Sequence, residues 1–305
     1  MDSHARSAAA SRLRPSPAAG RWVLAGALVF FAAHVAFLAP TLDDIDAVNF
    51  ALGVREFDPA RHQPHPPGYP IYEVLGKAST SLVERLYAGA EPAARLRNDP
   101  VALALAWWSA LLGAIGVVAW YAVFRGLDRA DADLGRQRGA NLSAALPATL
   151  LTAASPLMWF SASRPISDVP GLTASAAATA LLVGAFLPAD GGPREVDAGP
   201  ARPDCLLYGG ALAAALSIGV RSQAVWLTIG LVLTAAAYRA RAGGPRVALT
   251  AASAFGLGVL VWAVPLVAAT GGWARYVAAL GDQGGEDFSG IDMLWTHPGW
   301  DRFVV

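Results

Sequence analysis

The residues best equipped for chemistry lie in the stretch 41–72, which opens where the first long apolar run ends. Asp43, Asp44 and Asp46 fall within four residues of one another there. If the apolar run crosses a bilayer, they sit at its water boundary, where polar catalysis beside a membrane can take place. Residues three apart share a helix face, so Asp43 and Asp46 converge on one site, whereas Asp44 points about a third of a turn away. A carboxylate so placed can take a proton from a hydroxyl. The competing role is local. Thr41-x-x-Asp44 has capping-box spacing, which makes Asp44 the cap of a helix starting near residue 42 and leaves Asp46, deeper in that helix, least explained by capping.

The run His62-Gln63-Pro64-His65-Pro66-Pro67-Gly68-Tyr69-Pro70 follows. Its prolines stiffen the backbone and Gly68 permits a sharp turn, so His62, His65 and Tyr69 are carried on a pre-shaped loop. The same run also reads as a rigid surface turn with solvated histidines. Two imidazoles three apart without a third ligand do not define a metal site, so no metal ligand is assigned and a divalent cation stays an open alternative. Arg164 and Asp168, in Arg164-Pro165-Ile166-Ser167-Asp168-Val169-Pro170, read either as ligand-binding groups or as a local ion pair of little energetic worth. Arg221 interrupts an apolar stretch within Gly219-Val220-Arg221-Ser222-Gln223. An arginine there is costly unless it snorkels or pairs with an acid or an anion such as a lipid phosphate.

These residues are positioned by long apolar segments. Runs at 22–39, 101–124, 142–160, 171–187 and 247–269 each read as one span, with Pro147 and Pro156 kinking the third or marking its ends. The run 206–238 would be about 50 Å long as one helix against a hydrocarbon core of roughly 30 Å, so it is expected to break at 219–223 into a short helix of about 14 residues and a returning one. The expected architecture is all-α: a polytopic transmembrane helix bundle of about seven spans with a long first periplasmic loop, 40–100, bearing amphipathic helices. In that loop Val74, Leu75, Ala78, Leu82 and Leu86 recur at helical spacing, with Glu73, Lys77, Glu84 and Arg85 interleaved. The boundaries are a cytoplasmic tail 1–21, a membrane domain 22–269 and a periplasmic segment 270–305. A signal peptide is the rival reading of the first run, which exceeds the usual h-region length. His34 inside that run reads as a histidine bonded to a neighbouring helix.

Composition agrees with a membrane protein: 55% of the 305 residues are hydrophobic, 15% are charged, and mean hydropathy is +0.42. Net charge is zero without a long basic run, which excludes nucleic acid as a natural partner. The single cysteine, Cys205, excludes an intramolecular disulfide and a cysteine-rich metal site. Alanine and arginine richness with one lysine, Lys77, points to a bacterial inner membrane. Arginines cluster in the short segments 1–21, 125–141, 188–205 and 239–246, which places the N-terminus in the cytoplasm and puts the Asp cluster, the His/Pro loop, Arg164, Asp168 and Arg221 on the periplasmic side. The linker 188–205, rich in Pro, Gly and Asp, reads as a solvated loop.

An acidic pair after the first span, PHPPGYP in a long first outer loop, an outer RPxSD segment and a helix pair with a G-x-R turn resemble the GT-C membrane glycosyltransferases, nearest the protein O-mannosyltransferase-like branch. The resemblance covers residues 22–240 and leaves the tail 270–305 unplaced. It implies a sugar moved from a polyprenyl-phosphate donor to an acceptor hydroxyl. A first-loop aspartate would be the base, and by position that role falls on Asp43 and Asp46, with Asp44 as a rival. It also implies membrane lipid as surroundings. Relatives commonly have more spans, and the chain stops while entering an apolar stretch at Asp301-Arg302-Phe303-Val304-Val305, so it is expected to be a fragment. The rival from another class is a lipid or solute transporter with a charged midplane site. Such proteins often show matching halves, and no second copy of the Asp cluster or of PHPPGYP is present. A structural scaffold accounts least well for the boundary charges.

Overall fold

The computed structural model describes residues 17–88, 99–133, 143–187 and 202–289. Eleven helices appear among them: α1 (Pro17–Val35), α2 (Ile45–Arg55), α3 (Pro70–Tyr87), α4 (Pro100–Asp133), α5 (Ala145–Ala153), α6 (Pro156–Ala162), α7 (Asp168–Phe186), α8 (Arg202–Val220), α9 (Ala224–Gly243), α10 (Pro245–Ala269) and α11 (Trp273–Phe288). A short 3-10 turn spans Pro59–Arg61, and no strand occurs among the described residues. The protein is an all-α bundle. Proline starts α3, α6 and α10, where its missing N–H is one of the donors a helix cannot satisfy anyway.

The seven segments expected to span are all helical or helix pairs, and they differ in length and apolarity. Among the described residues five helices are long and apolar enough to cross a membrane, α1, α4, α7, α8 and α10, and α5 with α6, bent by 55° at Ala154–Ser155, makes a sixth when the bent pair is taken as one span. The seventh segment, α9, is a full helix of 20 residues, but Tyr238, Arg239 and Arg241 occupy its last turns and shorten its apolar length. Several boundaries also shift. α1 ends at Val35 and not at residue 39, and α8 begins at Arg202, inside the stretch read as a loop, so it has 19 residues where about 14 were expected. The break falls where it was expected, between Val220 and Ala224. α4 continues past the apolar run to Asp133, because Arg125 to Asp133 holds mostly good helix formers and no proline. At 34 residues it is about 51 Å long, so part of it stands clear of a core of roughly 30 Å. The expected loops at 89–98, 134–142 and 188–201 and the ends 1–16 and 290–305 lie outside the described residues.

Small residues hold the bundle together. Ala178, Leu182 and Ala185 of α7, Leu207, Ala211 and Ala214 of α8, Val232 and Ala235 of α9, and Val247 and Ala251 of α10 form one buried cluster. Lipid is as apolar as these side chains, so the gain comes from close packing and interhelical hydrogen bonds more than from leaving water. A Cβ on Gly210 would lie 2.7 Å from Leu182 Cγ, and one on Gly116 would lie 2.6 Å from Thr173 Oγ1, so glycine sets how near these helices come. Thr173 Oγ1 in turn donates to Leu112 O across the α4–α7 seam at 2.9 Å. His34 is buried in α1 and packs on Phe30 of its own helix and Trp159 of α6, with Nδ1 2.7 Å from Phe30 O. Its hydrogen bond is within α1, not to a neighbouring helix as the sequence implied.

At one end of the bundle the connections pack inward over the helix ends. Ala39 N–H donates to Ser163 O at 2.8 Å and Asp99 N–H to Pro40 O at 2.8 Å, which ties the exit of α1 to the α6–α7 turn and to the start of α4. Phe50 and Val54 of α2, Tyr69 and Tyr72 at the start of α3, Val101 and Leu105 of α4 and Val220 of α8 make the core beneath. Val74, Leu82 and Leu86 of α3 face outward, while the inner face carries Tyr72, Glu73, Gly76 and Thr80.

Candidate functional site

Asp44 is the N-cap of α2. Its backbone is extended (φ −131°, ψ 148°) and its carboxylate accepts from Asp46 N–H at 2.8 Å, so the helix starts at Ile45, three residues later than the sequence implied. Asp43 therefore lies in the extended entry segment, off the helix face that carries Asp46. Asp46, in the first turn, faces the His/Pro loop, with Oδ1 4.0 Å from His65 Nε2.

That loop is shaped by its backbone. His62 and Tyr69 adopt left-handed conformations (φ 57° and 43°), Gly68 has φ 101°, and Gln63–Pro64 and Pro66–Pro67 are cis. A Cβ on Gly68 would also lie 2.7 Å from Leu266 Cδ1, so the glycine answers both a dihedral and a packing demand. His65 is aimed by α2: Asn49, one turn after Asp46, donates its amide to Nδ1 at 3.3 Å, which leaves the ring proton on Nε2, 3.2 Å from Tyr69 Oη. Burial pushes the His65 pKa below its ordinary value, with Arg221 and His62 adding to this and Asp46 and Asp287 opposing it. The ring is thus held neutral. Burial raises the Tyr69 pKa, with Arg221 and a hydrogen bond to Gln223 opposing.

Two arginines meet carboxylates at the same end. Arg164 Nη1 donates to Asp43 Oδ2 at 2.9 Å, and its guanidinium stacks over Phe160, 3.9 Å from the ring centroid. Arg221 grips Asp168 through both nitrogens, Nη2 to Oδ1 at 3.1 Å and Nη1 to Oδ2 at 3.3 Å, and Nη1 also donates to Ser167 Oγ at 2.9 Å. The local Arg164–Asp168 pair that the loop sequence allowed is absent, because each residue pairs with a group far away in the chain. Gly171 explains why Arg221 reaches α7: a Cβ there would lie 2.5 Å from Arg221 Cβ, so only glycine lets the arginine stem lie flat on the helix.

The expected residues thus form three groups. Asp46, His65 and Tyr69 stand together, with the charges of Arg221 and Asp168 acting on Tyr69 and that of Arg221 on His65. Asp43 and Arg164 make an adjoining pair. His62 turns away, its Nε2 3.8 Å from Glu286 of α11. Among the described residues no group of three or more His, Cys, Asp or Glu side chains is spaced to hold a metal ion. Asn49, Ser167 and Gly171 were missed. Asn49 was legible, since it lies three residues after Asp46 on the same face of a helix.

Glu73, one of the charges interleaved along α3, is 3% exposed, with neither carboxylate oxygen hydrogen-bonded to another described group. It lies where α2, the His/Pro loop and α3 meet, since a Cβ on Gly53 would fall 2.8 Å from Glu73 Cδ and 2.5 Å from Pro64 Cδ.

A family model described as the protein O-mannosyl-transferase TMEM260 N-terminal domain matches residues 61–243. The chain belongs to this family. The match takes in the His/Pro loop, Arg164, Asp168 and Arg221, and begins after the Asp cluster, which the fold brings to the same place. The protein is therefore a mannosyltransferase-like, multi-pass membrane protein. No curated protein and no solved structure matches the chain.

Proposed function

We propose that the protein is a GT-C membrane glycosyltransferase that moves a sugar, of the mannosyl kind its family name indicates, from a polyprenyl-phosphate donor to an acceptor hydroxyl at the periplasmic face of a bacterial inner membrane. The observation that carries this reading is the meeting, at one end of the helix bundle, of the Asp46–His65–Tyr69 group with two arginine–carboxylate pairs. Acceptor activation needs a carboxylate, and departure of a lipid phosphate needs cations, within one site. Both lie where apolar helices end.

In this mechanism a carboxylate of the Asp43/Asp46 pair takes the proton of the acceptor hydroxyl as its oxygen bonds to the sugar C1. The bond from C1 to the phosphate oxygen breaks, and the polyprenyl phosphate leaves with the electron pair. Arg221 stabilises the charge gathering on that phosphate, and Arg164 assists, each fork exchanging part of its grip on Asp168 or Asp43 for phosphate oxygens. Neutral His65, held by Asn49, orients Tyr69 and faces Asp46. Asp44 serves as the helix cap and takes no part in proton transfer. No metal ligand is assigned.

The test is a membrane assay with labelled sugar on polyprenyl phosphate. Transfer to an acceptor hydroxyl by the natural protein, and its loss in Asp43→Asn or Asp46→Asn, is expected. Undiminished transfer in both variants would remove the base assignment, and no transfer from any polyprenyl-phosphate sugar would remove the activity.

A further inference from the structure

α11 lies beyond residues 61–243 and beyond the site residues, yet its three faces meet three different surroundings. The first is the His/Pro loop. Tyr276 and Ala279 are buried, Tyr276 Oη donates to Pro67 O at 3.1 Å, and Arg275 Nη2 donates to Asp58 Oδ2 at 2.7 Å. Asp58 is the knot of this contact, since it also accepts from Arg61 Nε at 3.0 Å and from Ala60 N–H at 3.1 Å. The second face carries Asp282 and stands in the open. The third carries Trp273, Val277 and Leu280, spaced i, i+4, i+7, which are 69%, 44% and 39% exposed.

What covers the third face follows from how α11 is attached. α10 is a membrane-length helix whose outward side carries Leu257, Leu260, Val261 and Val264, all exposed. It ends at Ala269, and Gly271 and Gly272 turn the chain at φ 93° and 107°, values that glycine alone adopts without strain. Trp273 is four residues beyond Ala269, so its Cα lies within about 14 Å of the end of the span. An apolar stripe fixed that near a helix end, opened by a tryptophan, stands at the depth of the lipid headgroups, where tryptophan is favoured and amphipathic helices lie flat.

We propose that α11 is an interfacial strap: its Trp273–Val277–Leu280 face rests in the surface of the membrane that α10 crosses, and the flank beside it, through Arg275 and Tyr276, ties the segment 58–67 to that surface. The strap sets the depth of the loop that carries His65. A segment anchored in this way stays level with lipid-linked groups while the rest of the loop remains in water.

The experiment uses nitroxide labels on the full chain carrying Cys205→Ser, in vesicles of phosphatidylethanolamine and phosphatidylglycerol. Labels are placed singly at Val277→Cys, Leu280→Cys and Asp282→Cys, and only monodisperse protein is reconstituted. Collision with oxygen should exceed collision with a water-soluble nickel chelate at 277 and 280, by about threefold or more relative to 282. Equal nickel accessibility at all three positions would place the stripe in water. Shielding of 277 and 280 from both reagents would place it against a protein partner or a second copy. Either outcome overturns the proposal. The tie to the loop is read from a label at Ala60→Cys, which should become more mobile when Arg275→Ala is added while the depth of 277 is kept. Unchanged mobility at 60 would sink the strap. None of these readings depends on sugar transfer.

Discussion

Asp43, Asp44 and Asp46 are one residue type within four positions, and their surroundings give them different work. Asp44 spends its carboxylate on the Asp46 N–H in the first turn of α2, Asp43 on Arg164, and Asp46 faces a neutral imidazole. Asp43→Asn and Asp46→Asn are therefore expected to lower sugar transfer by two orders of magnitude or more, the usual range of ~10²–10⁴ for general-base loss, with unchanged thermal stability. Asp44→Ala should instead cost about 0.5–2 kcal/mol of stability and keep most turnover. A thermal-shift series alongside the transfer assay separates the two patterns, and equal activity in all three variants contradicts the assignment. Arg221 offers a second test. Lysine keeps the charge but lacks the planar fork that holds two oxygens at once. Arg221→Lys should retain part of the donor affinity and Arg221→Ala lose it, measured by binding of a polyprenyl-phosphate sugar to inserted protein. Tight binding by Arg221→Ala would make Arg221 a structural partner of Asp168 and nothing more.

At the scale of elements, the α2–α3 seam and the α7–α8 contact each concentrate stress at one position. Burial drives the Glu73 carboxyl well above its ordinary range, with Lys77 opposing, so the folded chain keeps a proton that the unfolded chain releases near 4.5. The stability associated with Glu73 is fully present below about pH 4.5 and is lost as pH rises towards the folded value, by up to about 1.4 kcal/mol per unit. Glu73→Gln should flatten this dependence and raise the melting temperature at pH 7.5 by about 2–4 °C for each 1 kcal/mol recovered. A variant that melts lower than the natural protein at pH 7.5 would show that the charged form has a role in the fold. At the other contact, Gly171→Ala places a methyl group against the Arg221 stem. It should cost about 1–3 kcal/mol, or displace Arg221 and weaken donor binding, although every charged group is kept. Unaltered melting together with unaltered binding would show that α7 and α8 have slack there.

For the whole molecule, the proposed orientation rests on arginine clusters in short segments, one of which, Arg239 and Arg241, ends α9 at the opposite end of the bundle from Arg221. Arg61→Cys in a Cys205→Ser background is expected to react with a membrane-impermeant maleimide from the periplasmic side of intact cells. Arg241→Cys should react only after the membrane is opened. Labelling in the reverse order would invert the topology and remove the periplasmic site with it.

The apolar runs, their proline punctuation and the break at Arg221 determined an all-α membrane bundle by themselves, because helix length and hydrocarbon thickness are local quantities that composition carries. The rigidity of the His/Pro loop and the capping role open to Asp44 were likewise written in neighbouring residues. What only the tertiary structure decided is whatever depends on partners distant in the chain. Which segments have the length and apolarity of a span turned on α9, whose last turns carry Arg239 and Arg241. Arg164 pairs with Asp43 across the α1 exit, and Arg221 with Asp168 over Gly171, since a fork and a carboxylate choose by position in space and not by spacing. Glu73 lies at helical spacing among polar neighbours, and the face it occupies became interior only when α2 and Pro64 closed over it. Periodicity shows that a helix has two faces, and the surrounding helices and lipid decide which of them is covered.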